Sequence, residues 1–117
     1  ALFNAAEKLG VSYYTDDELA SMTPAQAAGL IREVAAGVDT LHLSIDLDAL
    51  PASVAPGVSA PAAVGIDLAL VRAMAIAAAE TGKLALVDVV ELNPRYDVDE
   101  RTARVAARLV EDIVNAL

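Results

Sequence analysis

The sequence predicts an α/β domain with parallel strands. Two strand-like runs, residues 41–48 and 84–91, are separated by a strongly apolar helix pattern, and further helix patterns precede the first run and follow the second. Strands that alternate with helices lie parallel in one sheet, because each helix carries the chain back to the edge where the strands start. No internal repeat, linker or low-complexity tail interrupts the alternation, so a single domain is expected.

Taken in order, residues 1–9 read as the end of a helix closed by Gly10, which suits a left-handed cap. Val11-Ser12-Tyr13-Tyr14-Thr15 has the β-branched and aromatic bias of a short strand. Thr15 and Glu18 have the spacing of a capping box for a brief helix over residues 16–22. Thr23-Pro24-Ala25-Gln26 joins a hydroxyl N-cap, a proline at the first helical position and a glutamine three residues after the cap. That combination predicts a helix running to about Gly37. Residues 41–48 then alternate strictly, with leucines and an isoleucine on one side and His42, Ser44, Asp46 and Asp48 on the other.

Residues 49–65 hold Pro51, Pro56 and Pro61 together with Gly57 and Gly65, which predicts a long loop. Long loops inside compact domains are often functional. Asp67 is placed to cap a helix over residues 68–81 that is apolar on nearly every side and should be buried between a sheet and other structure. Gly82 ends it. Residues 84–91 are almost continuously apolar, as in strands buried on both faces, and close on the acid Glu91. From Asp99 a final amphipathic helix sets Val105, Leu109, Ile113 and Leu117 on one stripe.

Composition narrows the function classes. Eight basic residues against 17 acidic ones give a net charge of −9, so phosphate backbones and anionic membrane surfaces are repelled and neither nucleic acid nor membrane is an expected partner. The absence of cysteine excludes disulfides and thiolate sites and fits a reducing, cytoplasmic compartment. No apolar run is long enough to span a bilayer. The chain opens without a methionine and inside a helix-like pattern, so an upstream part is expected.

In parallel sheets ligands bind beyond the carboxyl ends of the strands, where this reading places Asp46, Asp48 and Glu91. Two residues apart on a strand, Asp46 and Asp48 share a face, roughly 6 to 7 Å apart at the backbone. A pair of divalent cations about 3.5 to 4 Å apart fits such acids, and oxygen ligands suit manganese or magnesium. Two acids simply solvated at a strand end give the same pattern. Glu91 is placed either to hold a cationic guanidinium or amidinium by charge-assisted hydrogen bonds or to stand as a plain strand-end acid. His42, the only histidine, lies on the face of Asp46 and reads as a hydrogen-bonded core residue rather than a ligand. One histidine and no cysteine exclude a histidine-rich metal site, a zinc cage and a cysteine nucleophile. No nucleophile elbow or glycine-rich phosphate loop is present.

Ser44-Ile45-Asp46-Leu47-Asp48 resembles the second metal-binding motif of the ureohydrolase family of arginases, agmatinases and formimidoglutamases. Ala55-Pro56-Gly57-Val58-Ser59-Ala60-Pro61 occupies the place of the family's Pro-Gly-Thr-Gly-Thr-Pro loop, and Val90-Glu91-Leu92-Asn93-Pro94 looks like its Val-Glu-Val-Asn-Pro strand end. The likeness continues through Asp97-Val98-Asp99 and Thr102-Ala103-Arg104, covers about residues 39–117, and extends to the opening residues 1–14. Leu50-Pro51 and Gly57-Val58-Ser59-Ala60-Pro61 are similar to the formimidoglutamase branch, where arginases and agmatinases usually carry Asp-Pro and Gly-Thr-Gly-Thr-Pro.

The resemblance implies that residues 1–117 are the carboxyl-terminal part of a single domain, a three-layer α/β/α sandwich around a central parallel sheet, whose amino-terminal half carries the remaining metal ligands. It implies two Mn2+ ions per complete site, with Asp46 bridging them and Asp48 binding one. It makes Glu91 the catalytic and substrate-binding acid facing the cationic end of a small-molecule substrate, with Ser59 bordering the pocket. The implied reaction is metal-assisted hydrolysis of N-formimidoyl-L-glutamate to glutamate and formamide, a step of histidine breakdown, in a homo-oligomer of complete subunits. Two other readings stay open: hydrolysis of agmatine or another guanidino compound, and a noncatalytic assembly domain that keeps the acids as relics. The chain alone is expected to expose apolar sheet surface and to lack hydrolase activity.

Overall fold

Local signals account for the helices of the first third of the chain. The computed structural model describes all 117 residues, beginning with α1 (Leu2–Leu9), which Gly10 ends in the left-handed conformation at φ 69°. Helices α2 (Asp16–Ala20) and α3 (Pro24–Ala36) both open on capping boxes. Thr15 Oγ1 accepts from the Glu18 N–H at 3.2 Å while Glu18 Oε2 accepts from the Thr15 N–H at 2.7 Å, and Thr23 and Gln26 exchange the equivalent pair at 3.2 and 2.8 Å. Each box satisfies two backbone donors that a helix start otherwise leaves unpaired.

The strand expected over residues 11–15 does not form. That segment takes no regular structure and pairs with no strand, and Tyr13 instead packs its ring on Phe3 with centroids 5.0 Å apart. β-branched and aromatic residues favour a strand only where a neighbouring strand supplies a surface to pack on.

Strands β1 (Leu41–Asp46) and β2 (Leu84–Val90) form a two-stranded parallel sheet, joined through the long loop and α4 (Leu68–Glu80). In register, His42, Ser44 and Asp46 lie opposite Leu86, Asp88 and Val90. The other face carries Leu43, Ile45, Val87 and Val89 into a core with Leu47, Leu50, Val58, Ala75, Ala79 and, from α5 (Arg101–Ala116), Leu109 and Ile113. Leu47, Leu50 and Leu109 are completely buried, each contributing about 1.5 to 3 kcal/mol by leaving water. The helix cap at Asp67 is as expected, its carboxylate accepting from the Ala69 N–H at 2.8 Å.

Three further expectations need correction. β2 is not buried on both faces, because only one face of the sheet is covered: Leu86 is 55% and Val90 38% exposed. On α5 the buried stripe is Thr102, Leu109 and Ile113, with Val105 partly buried, and Leu117 hangs free at 78% exposure. The helix begins at Arg101 rather than Asp99, since Asp99 and Glu100 take positive φ of 50° and 57° and cannot start it.

Two polar clamps tie the layers together. Asp112 on α5 accepts from Arg72 Nε and Nη2 of α4 at 2.5 and 3.0 Å and from Arg108 Nε at 2.9 Å. Lys83 Nζ donates to the carbonyls of Ala35 and Val38 at 2.6 and 2.9 Å, satisfying the end of α3 and fixing it beside the start of β2.

Candidate active site

Because the strands are parallel, their carboxyl ends meet at one edge. Asp46 is the last residue of β1 and pairs with Val90, the last of β2, so Glu91 follows immediately on the neighbouring strand. Beyond Asp46 the chain enters a short 3-10 turn, Leu47–Ala49, anchored on either side of Asp48 by the fully buried Leu47 and Leu50. Asp46 Oδ1 caps this turn by accepting from the Asp48 N–H at 3.0 Å.

Asp48 therefore does not stand on the strand, as the alternation had suggested. The turn, rather than the pleat, brings it to Asp46. Burial pushes the Asp48 carboxyl above its usual range, and the charge of Asp46, a hydrogen bond with it, and the charge of Glu91 push it further. The three carboxyl groups thus share one electrostatic field. A divalent cation would relieve this repulsion, and a set made only of carboxylate oxygens suits a hard ion. No three Asp, Glu or His side chains of the chain lie together closely enough to hold a metal by themselves.

Glu91 is held at φ 70°, a left-handed conformation that costs a non-glycine residue roughly 1 kcal/mol. Here it turns the chain out of the sheet. Ser59 from the long loop meets it, with Oγ donating to Glu91 Oε2 at 3.4 Å. Both residues are exposed; an apolar cleft of about 460 Å³ lined by Leu19, Met22, Val54 and Ile66 lies apart from the acids, whereas a smaller one of about 230 Å³ includes Asp46 in its lining.

His42 is hydrogen-bonded but not in the core. Its side chain is 55% exposed on the open face, and its Nε2 meets Asp88 Oδ2 at 2.5 Å. Ser44 Oγ donates to the other oxygen of Asp88 at 2.5 Å, and these hydrogen bonds, that of Ser44 foremost, hold the Asp88 carboxyl below the usual range. Sequence reasoning gave Asp88 no part, although a carboxylate inside an otherwise apolar strand was a signal. Asp97 and Thr102 also went without a role: Asp97 accepts from the backbone N–H groups of Val98, Thr102 and Ala103, and Thr102 holds the loop at Gly57.

Comparison with known proteins identifies the family and the fold. The profile of the arginase family matches residues 2–115. The chain is 47% identical over 115 residues to a formimidoylglutamase of Corynebacterium efficiens, an alignment covering 98% of this chain and 37% of that protein. Its fold superposes on the arginase of Bacillus caldovelox with a TM-score of 0.86 at 28% identity, covering 95% of this chain and 38% of that one. A crystal structure of Trypanosoma cruzi formiminoglutamase with Mn2+2 superposes with a TM-score of 0.69 at 33% identity, covering 77% of this chain and 31% of that one. The chain thus spans little more than a third of the length of the curated relative it matches.

Proposed function

The chain belongs to the arginase family, and from that premise we propose that it is the carboxyl-terminal part of a single-domain, manganese-dependent hydrolase of N-formimidoyl-L-glutamate. The observation that carries this reading is the convergence of Asp46, Asp48 and Glu91 on one sheet edge in a chain so similar to a formimidoylglutamase. The Mn2+ in the related formiminoglutamase supports the choice of metal.

In this reading Asp46 and Asp48 would hold the ions, and the rest of the ligand set would come from outside residues 1–117. The bound metal supplies Lewis acidity and an activated water. Asp46 is fixed for this role by its place at the end of β1, and Asp48 by the buried leucines on either side of it. Glu91, the catalytic acid of this chain, accepts hydrogen bonds from the amidinium N–H groups and fixes the formimidoyl carbon toward the metal edge. Ser59 borders the pocket and orients the Glu91 carboxylate through its hydroxyl. Addition of water to the formimidoyl carbon and departure of the amine give formamide and glutamate.

The same reading places the step in histidine breakdown in the cytoplasm and makes the complete subunit a homo-oligomer acting on a small molecule. No helix of the chain is long and apolar enough to cross a membrane. The test is Mn2+-dependent hydrolysis by the full-length protein offered formimidoglutamate, arginine, agmatine and guanidinobutyrate. Preferential formamide release from formimidoglutamate is expected. Urea release from a guanidino substrate would reassign the substrate, and silence on all four with metal bound would leave the noncatalytic assembly reading.

A further inference from the structure

Gly57 is held by both of its backbone polar groups. Its N–H donates to the hydroxyl of Thr102, a completely buried residue at the start of α5, at 2.8 Å, and its carbonyl accepts from the Asn93 N–H at 2.7 Å. A side chain at this position has no room, since a Cβ would fall 2.7 Å from Cβ and Cγ of Asp97. Asp97 in turn is pinned by the N–H groups of Thr102 and Ala103 at 2.9 and 3.0 Å and of Val98 at 2.9 Å. The loop is therefore fastened at one glycine to the segment that follows β2, across 45 residues of sequence.

What this fastening controls is two residues away on each side. Val58, next to Gly57, is buried, and Ser59 beyond it reaches Glu91, which itself stands two residues before Asn93. Ser59 and Glu91 thus hang from the same anchored unit. Asp46 and Asp48 are anchored separately, by β1 and by the leucines flanking Asp48. Glu91 is also held by the end of β2, so moving Gly57 would shift Ser59 against Glu91 while leaving the metal-side acids in place.

We propose that Thr102 and Asp97 form a latch on Gly57 that positions Ser59 against Glu91 and so sets how tightly the site grips the cationic amidinium end of its substrate. Both are positioning residues. The inference rests on the role given to Glu91 under the proposed function.

The test is a double-mutant cycle in the full-length, Mn2+-loaded protein, joining Thr102→Val with Ser59→Ala. Thr102→Val removes the acceptor of the Gly57 N–H at nearly constant shape. It should raise KM for formimidoglutamate about tenfold, the scale of one lost hydrogen bond, with little change in kcat or bound manganese. Thr102→Ser should restore KM. In the Ser59→Ala background Thr102→Val should add almost nothing, because the latch acts through Ser59.

Additive effects, or loss of kcat and manganese together with KM, overturn the latch. Should Thr102→Val not fold, Asp97→Asn replaces it in the same cycle with the same expectation. Hydrogen exchange in peptides spanning residues 54–60 reads the latch without turnover and should quicken in the latch variants; unchanged exchange overturns it. A wild-type protein inactive on every amidine and guanidine overturns the assignment of Glu91, an outcome distinguishable from failure of the latch alone.

Discussion

Asp46 and Glu91 differ in how far their positions could be read from sequence. Asp46 sits at the end of an alternating strand, and alternation is a local signal, so its place at the sheet edge was legible. Asp48 was legible as a neighbour but not as a turn residue, because capture of its N–H by Asp46 competes with continuing the strand and local composition does not decide that contest. The left-handed turn at Glu91 had no signal at all, since it is a non-glycine residue. The union of His42, Ser44 and Asp88 depends on a parallel register spanning 44 and 46 residues, which no local pattern encodes. At this scale Glu91→Gln is predicted to lower kcat/KM at least about a hundredfold, the cost of leaving a cationic partner without its charged acceptor. Steady-state kinetics of the full-length variant, with bound manganese measured alongside, checks it; retained kcat/KM would remove Glu91 from the site.

The starts of α2 and α3 were the best-read features, because capping boxes are complete within four residues and owe nothing to the tertiary fold. The segment at residues 11–15 failed as a strand for the opposite reason, its propensity having no partner strand to act on. Packing of α5 on α4 is fixed by Leu109 and Ile113 together with the Arg72–Asp112–Arg108 clamp, and the arginines hold the Asp112 carboxyl down to about 2. The usual aspartate value is 3.8, so the unfolded chain binds the proton more readily. Asp112 therefore contributes stability that is complete above the unfolded value and is lost as pH falls through about 2. Asp112→Asn should cost about 2 kcal/mol near neutral pH, and the gap from wild type should narrow as pH drops from 5 toward 2.5. Urea unfolding midpoints across that range test this; a gap that is constant with pH would show that the clamp acts by packing alone.

The whole molecule presents a sheet with one covered and one open face. The covered face supports the α/β reading, with parallel strands alternating with helices, and the superposition on an arginase extends it to the family architecture. The open face was not legible in residues 84–90 themselves, since an apolar run looks the same whether or not both faces find cover; the exposed apolar sheet surface expected of the chain alone rested on the family resemblance. With Leu86 and Val90 exposed there and both strand edges unpaired, the isolated 117-residue chain is predicted to self-associate. Sedimentation velocity over a concentration series would show this as rising mass, whereas a monomer that melts cooperatively would contradict it.

The claim on which the rest depends is that Asp46 and Asp48 are metal ligands, and manganese content measures it most directly. Equilibrium dialysis of the full-length protein against Mn2+ should find two ions per subunit, with Asp46→Asn losing most of both and Asp48→Asn weakening one, while Asp88→Asn keeps the stoichiometry. Unchanged manganese binding in Asp46→Asn and Asp48→Asn would contradict the account and return both acids to solvated ends of a strand and a turn.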